Sequence, residues 1–181
     1  IYSILLMKGK FLFTGAPGVG KTTLIEYLNS VGYSVVRETA RDVIEQQQQC
    51  NGTILPWINQ MAFQKRVLGI QLARENNTSS NLVFIDRGIL DGIAYLRVAG
   101  LEVPNIFYKN AYHRYDCVFL IEPLPKYVQD HQRKEKRKVS KKLHSTLKET
   151  YQEFGYKIIS VPANPIKERA DSIIASVEMY S

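Results

Sequence analysis

The sequence predicts an α/β fold, a three-layer α/β/α sandwich around a five-stranded parallel sheet, and three observations carry that expectation. Five short apolar runs, "FLFT", "YSVV", "LVFI", "CVFLI" and "KIISV", are continuous rather than alternating. That pattern belongs to strands buried on both faces. Stretches of helical period separate the runs, as strand–helix–strand units require. The first run also leads straight into a glycine-rich turn that opens a helix.

Taken along the chain, the helical segments are expected at Lys21–Val31, Thr39–Cys50, Trp57–Glu75, Ile89–Ala99, Pro104–Tyr112, Ser140–Phe154 and Pro165–Val177. Each spaces its apolar residues at three and four, so one stripe faces a sheet. The polar stretches "CNGT" and "ENNTSSN" are short and read as loops rather than domain linkers. Residues 8–181 are therefore expected to form a single domain, with residues 1–7 as an upstream extension or a leftover of cloning.

Composition bounds the function. At 181 residues, 45% hydrophobic and 23% charged, the chain suits an ordinary globular fold with a sizeable core. No apolar run is long enough to span a bilayer, and the apolar start lacks the basic flank and cleavage site of a signal peptide. Cys50 and Cys117 stand apart from each other and from any metal-ligand spacing. A reduced, cytoplasmic setting is the expectation.

The net charge is +7, and the excess is concentrated in "HQRKEKRKVSKK", His131–Lys142. Such a run suits a solvated helix face, a lid over phosphates, or a surface for nucleic acid or anionic lipid. No aromatic-rich recognition strand or amphipathic anchor accompanies it, so the last two uses have little support.

The turn after the first strand, "GAPGVGKTT", fits the phosphate-loop (Walker A) pattern without mismatch. Gly15, Ala16, Pro17, Gly18, Val19, Gly20, Lys21, Thr22 and Thr23 are thus expected to hold the phosphates of ATP or GTP. Glycines let the backbone curl so that its N–H groups converge on an anion, and the helix start adds a favourable dipole. Lys21 is placed to reach the β- and γ-phosphates, and Thr22 to offer a hydroxyl to Mg2+. Asp86 closes the strand "LVFID" and is the natural second magnesium residue, because ligands gather at strand carboxyl ends. The architecture is therefore a P-loop NTPase with sheet order 2-3-1-4-5.

The residue after Asp86 narrows the class. Motor and remodelling ATPases need a Glu there to activate water, and this chain has Arg87. The Asn-Lys-x-Asp signature of switch GTPases is absent. An arginine beside the magnesium acid suits phosphoryl transfer, which needs positive charge, in-line positioning and an acid to orient the attacking hydroxyl. Glu38, just past the second strand, is the candidate for that last role, and Arg41 is a second cation with a possible view of the cleft. Asp91 adds a polar group from the helix that follows Arg87.

The layout "RET", "AFQKRVLGIQLARE" and "FIDRGILDGIAYL" resembles deoxynucleoside and thymidylate kinases. That resemblance implies Glu38 as the acceptor-orienting acid, Gln64 as a base-reading amide, and Asp86–Arg87 as the acid–arginine pair. Trp57 and Phe63 would then wall an acceptor pocket. A closer resemblance runs from Lys10 to about Ile174, through "TGAPGVGKTTLIEYLNSVGYSVVRETAR", "LPWINQMAFQKRVLGIQL" and "YDCVFLIEPLP". It is to the AAA-type, kinase-like P-loop proteins of the NadR group. The resemblance implies nucleotide binding.

In such kinases the stretch after the fourth strand is a lid, here about residues 124–142. Asp130 and Arg133 match a D-x-x-R spacing, which makes Arg133 a candidate catalytic cation and Arg137 a weaker one. Asn164 sits where related kinases pack a loop on the donor purine, and it is also a natural helix cap. The function expected is a Mg-dependent phosphotransferase acting on a small nucleoside-, nucleotide- or ribosyl-type acceptor. The alternative is a regulatory NTPase with slow hydrolysis and a protein or lipid partner.

Overall fold

The computed structural model describes residues 8–123 and 131–179, with side chains from Lys138 onward in the second stretch. The elements run β1 (Gly9–Thr14), α1 (Lys21–Ser30), β2 (Ser34–Val36), α2 (Thr39–Gln49), α3 (Gln60–Asn76) and β3 (Leu82–Asp86). They continue with α4 (Ile89–Val98), α5 (Asn105–Lys109), β4 (Cys117–Ile121), α6 (His131–Glu153), β5 (Ile158–Val161) and α7 (Ile166–Glu178). The five strands are all parallel, in the order β2-β3-β1-β4-β5. This is the expected P-loop kinase architecture.

Alternation along β1 divides the core into two layers. Phe11 and Phe13 point to one face and pack with Phe84, Phe119 and the apolar stripes of α1 and α7. Leu12 points to the other and packs under α3, α4, α5 and α6. The aromatic layer is tight, with Phe13 at 5.5 Å from Phe84 and 5.7 Å from Phe119 between ring centroids. These rings are fully buried, and each stabilises the fold by roughly 1.5–3 kcal/mol. With both faces covered, the site forms at the carboxyl ends of the central strands.

Three boundaries differ from the sequence reading. α3 starts at Gln60 rather than Trp57, because the Asn59 side chain accepts from the Ala62 N–H at 3.0 Å and caps the helix. The preceding residues turn instead, with the Ile58 and Asn59 N–H groups both bonding the Leu55 carbonyl. α6 is longer than expected and begins at His131, so the basic run is its amino-terminal half. α5 is a five-residue helix, ending well short of Tyr112. Among the described residues no helix is long and apolar enough to cross a membrane.

Candidate functional site

The phosphate loop spans the gap between β1 and α1. Gly15 has φ 138, and a Cβ there would lie 2.7 Å from the Ile121 carbonyl oxygen at the end of β4. Only glycine meets both demands. Gly20, at φ 86, is the left-handed cap that turns the chain into α1. The N–H groups from Gly18 to Thr23 find no acceptor among the described residues. A run of free donors at a helix start is an anion cradle.

Lys21 is 5% exposed, and its Nζ donates to the Gly15 and Ala16 carbonyls at 2.9 Å each. Burial, followed by the nearby Arg87 charge, pulls its pKa down to about 8. Thr22 Oγ1 donates to Asp86 Oδ2 at 3.1 Å. Asp86 is fully buried, and its Oδ1 has no hydrogen-bond partner among the described residues. Burial and then the Glu38 charge push its pKa up to about 6. An orphaned carboxylate oxygen beside a hydroxyl is a set of hard oxygen ligands, which fits a magnesium ion. No group of three or more His, Cys, Asp or Glu side chains is placed to hold a metal ion among the described residues. A cation here would complete its shell with phosphate and water oxygens, as magnesium does.

Arg87 organises the other side of the site. Its backbone is left-handed, φ 66, which is costly for a residue with a Cβ. The strain is held by the Arg87 N–H bond to the Phe13 carbonyl, 2.9 Å, and by its side chain. Nε donates to Glu38 Oε1 at 2.7 Å, and Nη1 to Asp91 Oδ1 at 3.0 Å. Burial opposes the charge on Arg87, but Tyr95 and the carboxylates of Asp91, Glu38 and Asp86 outweigh it, so the guanidinium is held charged above its ordinary range. Nη2 and Glu38 Oε2 carry no hydrogen bond among the described residues. Both remain available to a ligand.

Asp91 is occupied differently. Its Oδ1 takes the Thr14 hydroxyl at 3.0 Å as well as Arg87, and its Oδ2 takes the Gly88 N–H at 3.1 Å and the Tyr151 hydroxyl at 2.6 Å. With four donors already in place, Asp91 holds Arg87 rather than offering itself to an acceptor. Gln71, buried on α3, adds support by donating to the Arg87 carbonyl at 3.1 Å and to Glu75 at 2.9 Å.

A cavity of about 560 Å³ runs from the phosphate loop past these groups. Glu38, Arg41, Phe63, Gln64 and Arg87 all line it, together with Tyr95 and Phe107, which sequence reasoning did not single out. Gln64 is 5% exposed and its side chain makes no hydrogen bond among the described residues, so its amide is free on the cavity wall. Phe107 packs beneath Gly92, where a Cβ would stand only 2.7 Å from the ring.

Two expected residues do not line this cavity, although Asn164 stays close to the phosphate loop, because Arg169 bonds both its carbonyl and that of Val19. Trp57 is 63% exposed on the turn before α3, and its neighbour Pro56 reaches the cavity instead. Asn164 is exposed before α7, where Pro165 holds the cap position without any side-chain cap bond. Residues 124–130, including Asp130, lie outside the described residues, as do the side chains of Arg133 and Arg137. Arg169 is a charged residue that sequence reasoning missed. It is buried against the phosphate loop, donating to the Val19 carbonyl at 3.1 Å.

Comparison with known proteins agrees with this fold. Among solved structures, the chain is similar to a NadR protein in complex with NR, at TM-score 0.73 and 22% identity over 96% of the chain. It spans about half of that NadR chain, 52%. A deoxyadenosine kinase from M. mycoides, with dCMP and dCDP bound, matches at TM-score 0.59 and 18% identity, covering 94% of this chain and 99% of that one. A thymidylate kinase from Ehrlichia chaffeensis matches at TM-score 0.64 and 14% identity, covering the same 94% and 99%. At these identities the likeness is one of fold, a P-loop nucleotide-binding, kinase-like fold. No curated protein matches the chain significantly. A family model described as an AAA domain matches residues 10–169, from β1 into α7. The chain therefore belongs to that AAA domain family.

Proposed function

We propose that the protein is a Mg-dependent phosphotransferase that moves the γ-phosphoryl group of ATP or GTP to a hydroxyl of a small nucleoside-, nucleotide- or ribosyl-type acceptor. One observation carries the reading: a single cavity joins the phosphate loop to the free edges of Glu38, Arg87 and Gln64. A protein that only hydrolysed its nucleotide would have no use for an apolar-walled chamber beyond the phosphates. The ligands bound to NadR and deoxyadenosine kinase in their structures, NR and deoxynucleotides, lend the acceptor class its support.

Thr22 and Asp86 would hold the magnesium ion, which supplies positive charge to the phosphate oxygens when bound. Lys21 exchanges its two loop carbonyls for phosphate oxygens, and a neighbouring anion raises its pKa so that it stays charged. Glu38 Oε2 accepts a hydrogen bond from the acceptor hydroxyl and aligns it for in-line attack. Arg87 Nη2 stabilises the charge that moves between donor and acceptor, and its bonds to Glu38 and Asp91 keep it from reorienting. Phe63 and Phe107 bury the flat part of the acceptor, and the Gln64 amide reads its polar edge. The residues around 124–142, with Arg133, would act as the lid that excludes water.

The test is a panel of nucleosides, nucleotides and ribosylated bases, incubated with nucleotide labelled on the γ-phosphate. The expected result is label on one acceptor class, lost in Glu38→Gln. Label appearing on water alone across the panel would sink the proposal.

A further inference from the structure

Arg169 breaks two local rules. It lies in the first turn of α7, where the helix dipole disfavours a cation, and it is 5% exposed. No carboxylate pairs with it among the described residues. A buried unpaired charge of this kind is expensive to keep. Departures from local consistency concentrate where function demands them.

Its hydrogen bonds show what the side chain does. Nε donates to the Asn164 carbonyl at 2.6 Å, in the loop between β5 and α7. Nη1 donates to the Val19 carbonyl at 3.1 Å, across 150 residues of sequence. The guanidinium lies along the outer side of Gly20, where a Cβ would stand 3.5 Å from Nη1. In a trans peptide the carbonyl and the following N–H point in opposite directions. Holding the Val19 carbonyl toward α7 therefore aims the Gly20 N–H away from α7. That N–H has no acceptor among the described residues.

We infer that Arg169 is a positioning residue for the donor triphosphate: it fixes the Val19–Gly20 peptide so that the loop meets the phosphates already arranged. The inference rests on the nucleotide-binding reading above. Preorganised donors bind anions without the reorganisation that a free peptide would need. Glycine at position 20 makes that peptide easy to rotate, and this is why an outside clamp is needed. Arg169 acts on the phosphate end of the ligand, through the backbone and without touching the ligand itself.

The experiment measures binding of ATP, GTP and inorganic tripolyphosphate in magnesium buffer to wild type, Lys21→Ala, Arg169→Ala, Arg169→Met and Arg169→Lys. Arg169→Ala and Arg169→Met should lose about tenfold in affinity, by the same factor for nucleotides and for tripolyphosphate. Arg169→Lys, which keeps charge but not the fork, should fall between. Free guanidinium, well below its denaturing range, should restore much of the loss in Arg169→Ala.

Wild-type affinity in the Arg169 variants would overturn the inference. So would a loss confined to nucleotides, which would mark contact with the base, or a loss that guanidinium fails to restore, which would mark a general packing role. Failure of the underlying reading looks different: wild type would bind none of the three, or Lys21→Ala would bind as wild type does.

Discussion

Arg87 and Glu38 meet at 2.7 Å through Nε and Oε1, joining the end of β3 to the start of α2 across the mouth of the cavity. Both side chains are largely buried, and Arg87 also holds Asp91, which is 4% exposed. Removing the guanidinium leaves two carboxylates without their partner. Arg87→Met should therefore destabilise the protein by about 3 kcal/mol, read as a lower urea midpoint. A midpoint equal to wild type would mean that water reaches these carboxylates freely.

Asp86 binds a proton more tightly in the folded protein, near pH 6, than an exposed aspartate does. Its contribution to stability is thus fully present below about pH 4 and is lost as the pH rises through about 6. Asp86→Asn should gain on wild type between pH 4.5 and pH 7 without magnesium, by on the order of 2 kcal/mol. Urea melts at the two pH values check this. The same variant should bind nucleotide without the magnesium dependence of wild type.

Lys21 has the opposite profile. Its pKa of about 8 means that the folded protein gives up this proton before an unfolded chain would. The penalty for burying the charge is therefore present below about pH 8 and is relieved as the pH climbs toward the ordinary lysine value. A bound phosphate restores the charge, so nucleotide binding at pH 8 should take up a proton. Calorimetry in two buffers of different ionisation enthalpy measures that uptake. Binding heats that track neither buffer would contradict it. Affinity should also weaken above pH 8.

Gln64 faces the cavity with its amide unspent, so Gln64→Leu should raise the acceptor KM at least tenfold while leaving the donor KM alone. Gly92→Ala should act in the same direction by crowding Phe107, which a Cβ would approach to 2.7 Å, and Gln64, at 3.3 Å. Steady-state kinetics varying each substrate separates the two KM values. A change in the donor KM alone would place Gln64 on the wrong substrate.

The parts of the site written locally in sequence were readable there. The phosphate loop is nine consecutive residues whose spacing is fixed by backbone geometry. The strands announce themselves as continuous apolar runs because both of their faces are covered. Asp86 and Arg87 follow from the end of one such run. The parts assembled from distant segments were not readable.

Asp91 has the sequence position of a ligand-binding acid, but Thr14 and Tyr151, from β1 and α6, already occupy it. Arg169 reads as one basic residue in a mixed helix, and only the fold brings it to Val19. Trp57 misled for a local reason. Pro56 and the Asn59 cap end the turn before the helix begins, so the indole never gains the helical direction that would carry it inward.

Lys21 already has two acceptors of its own, the carbonyls of Gly15 and Ala16. An incoming anion must outcompete an internal bond instead of meeting a bare charge. A phosphate oxygen offers a charge-assisted bond in place of a neutral carbonyl, and a polyphosphate tail offers several along the loop. Any anion that reaches the Lys21 ammonium must therefore displace bonds the loop makes to itself.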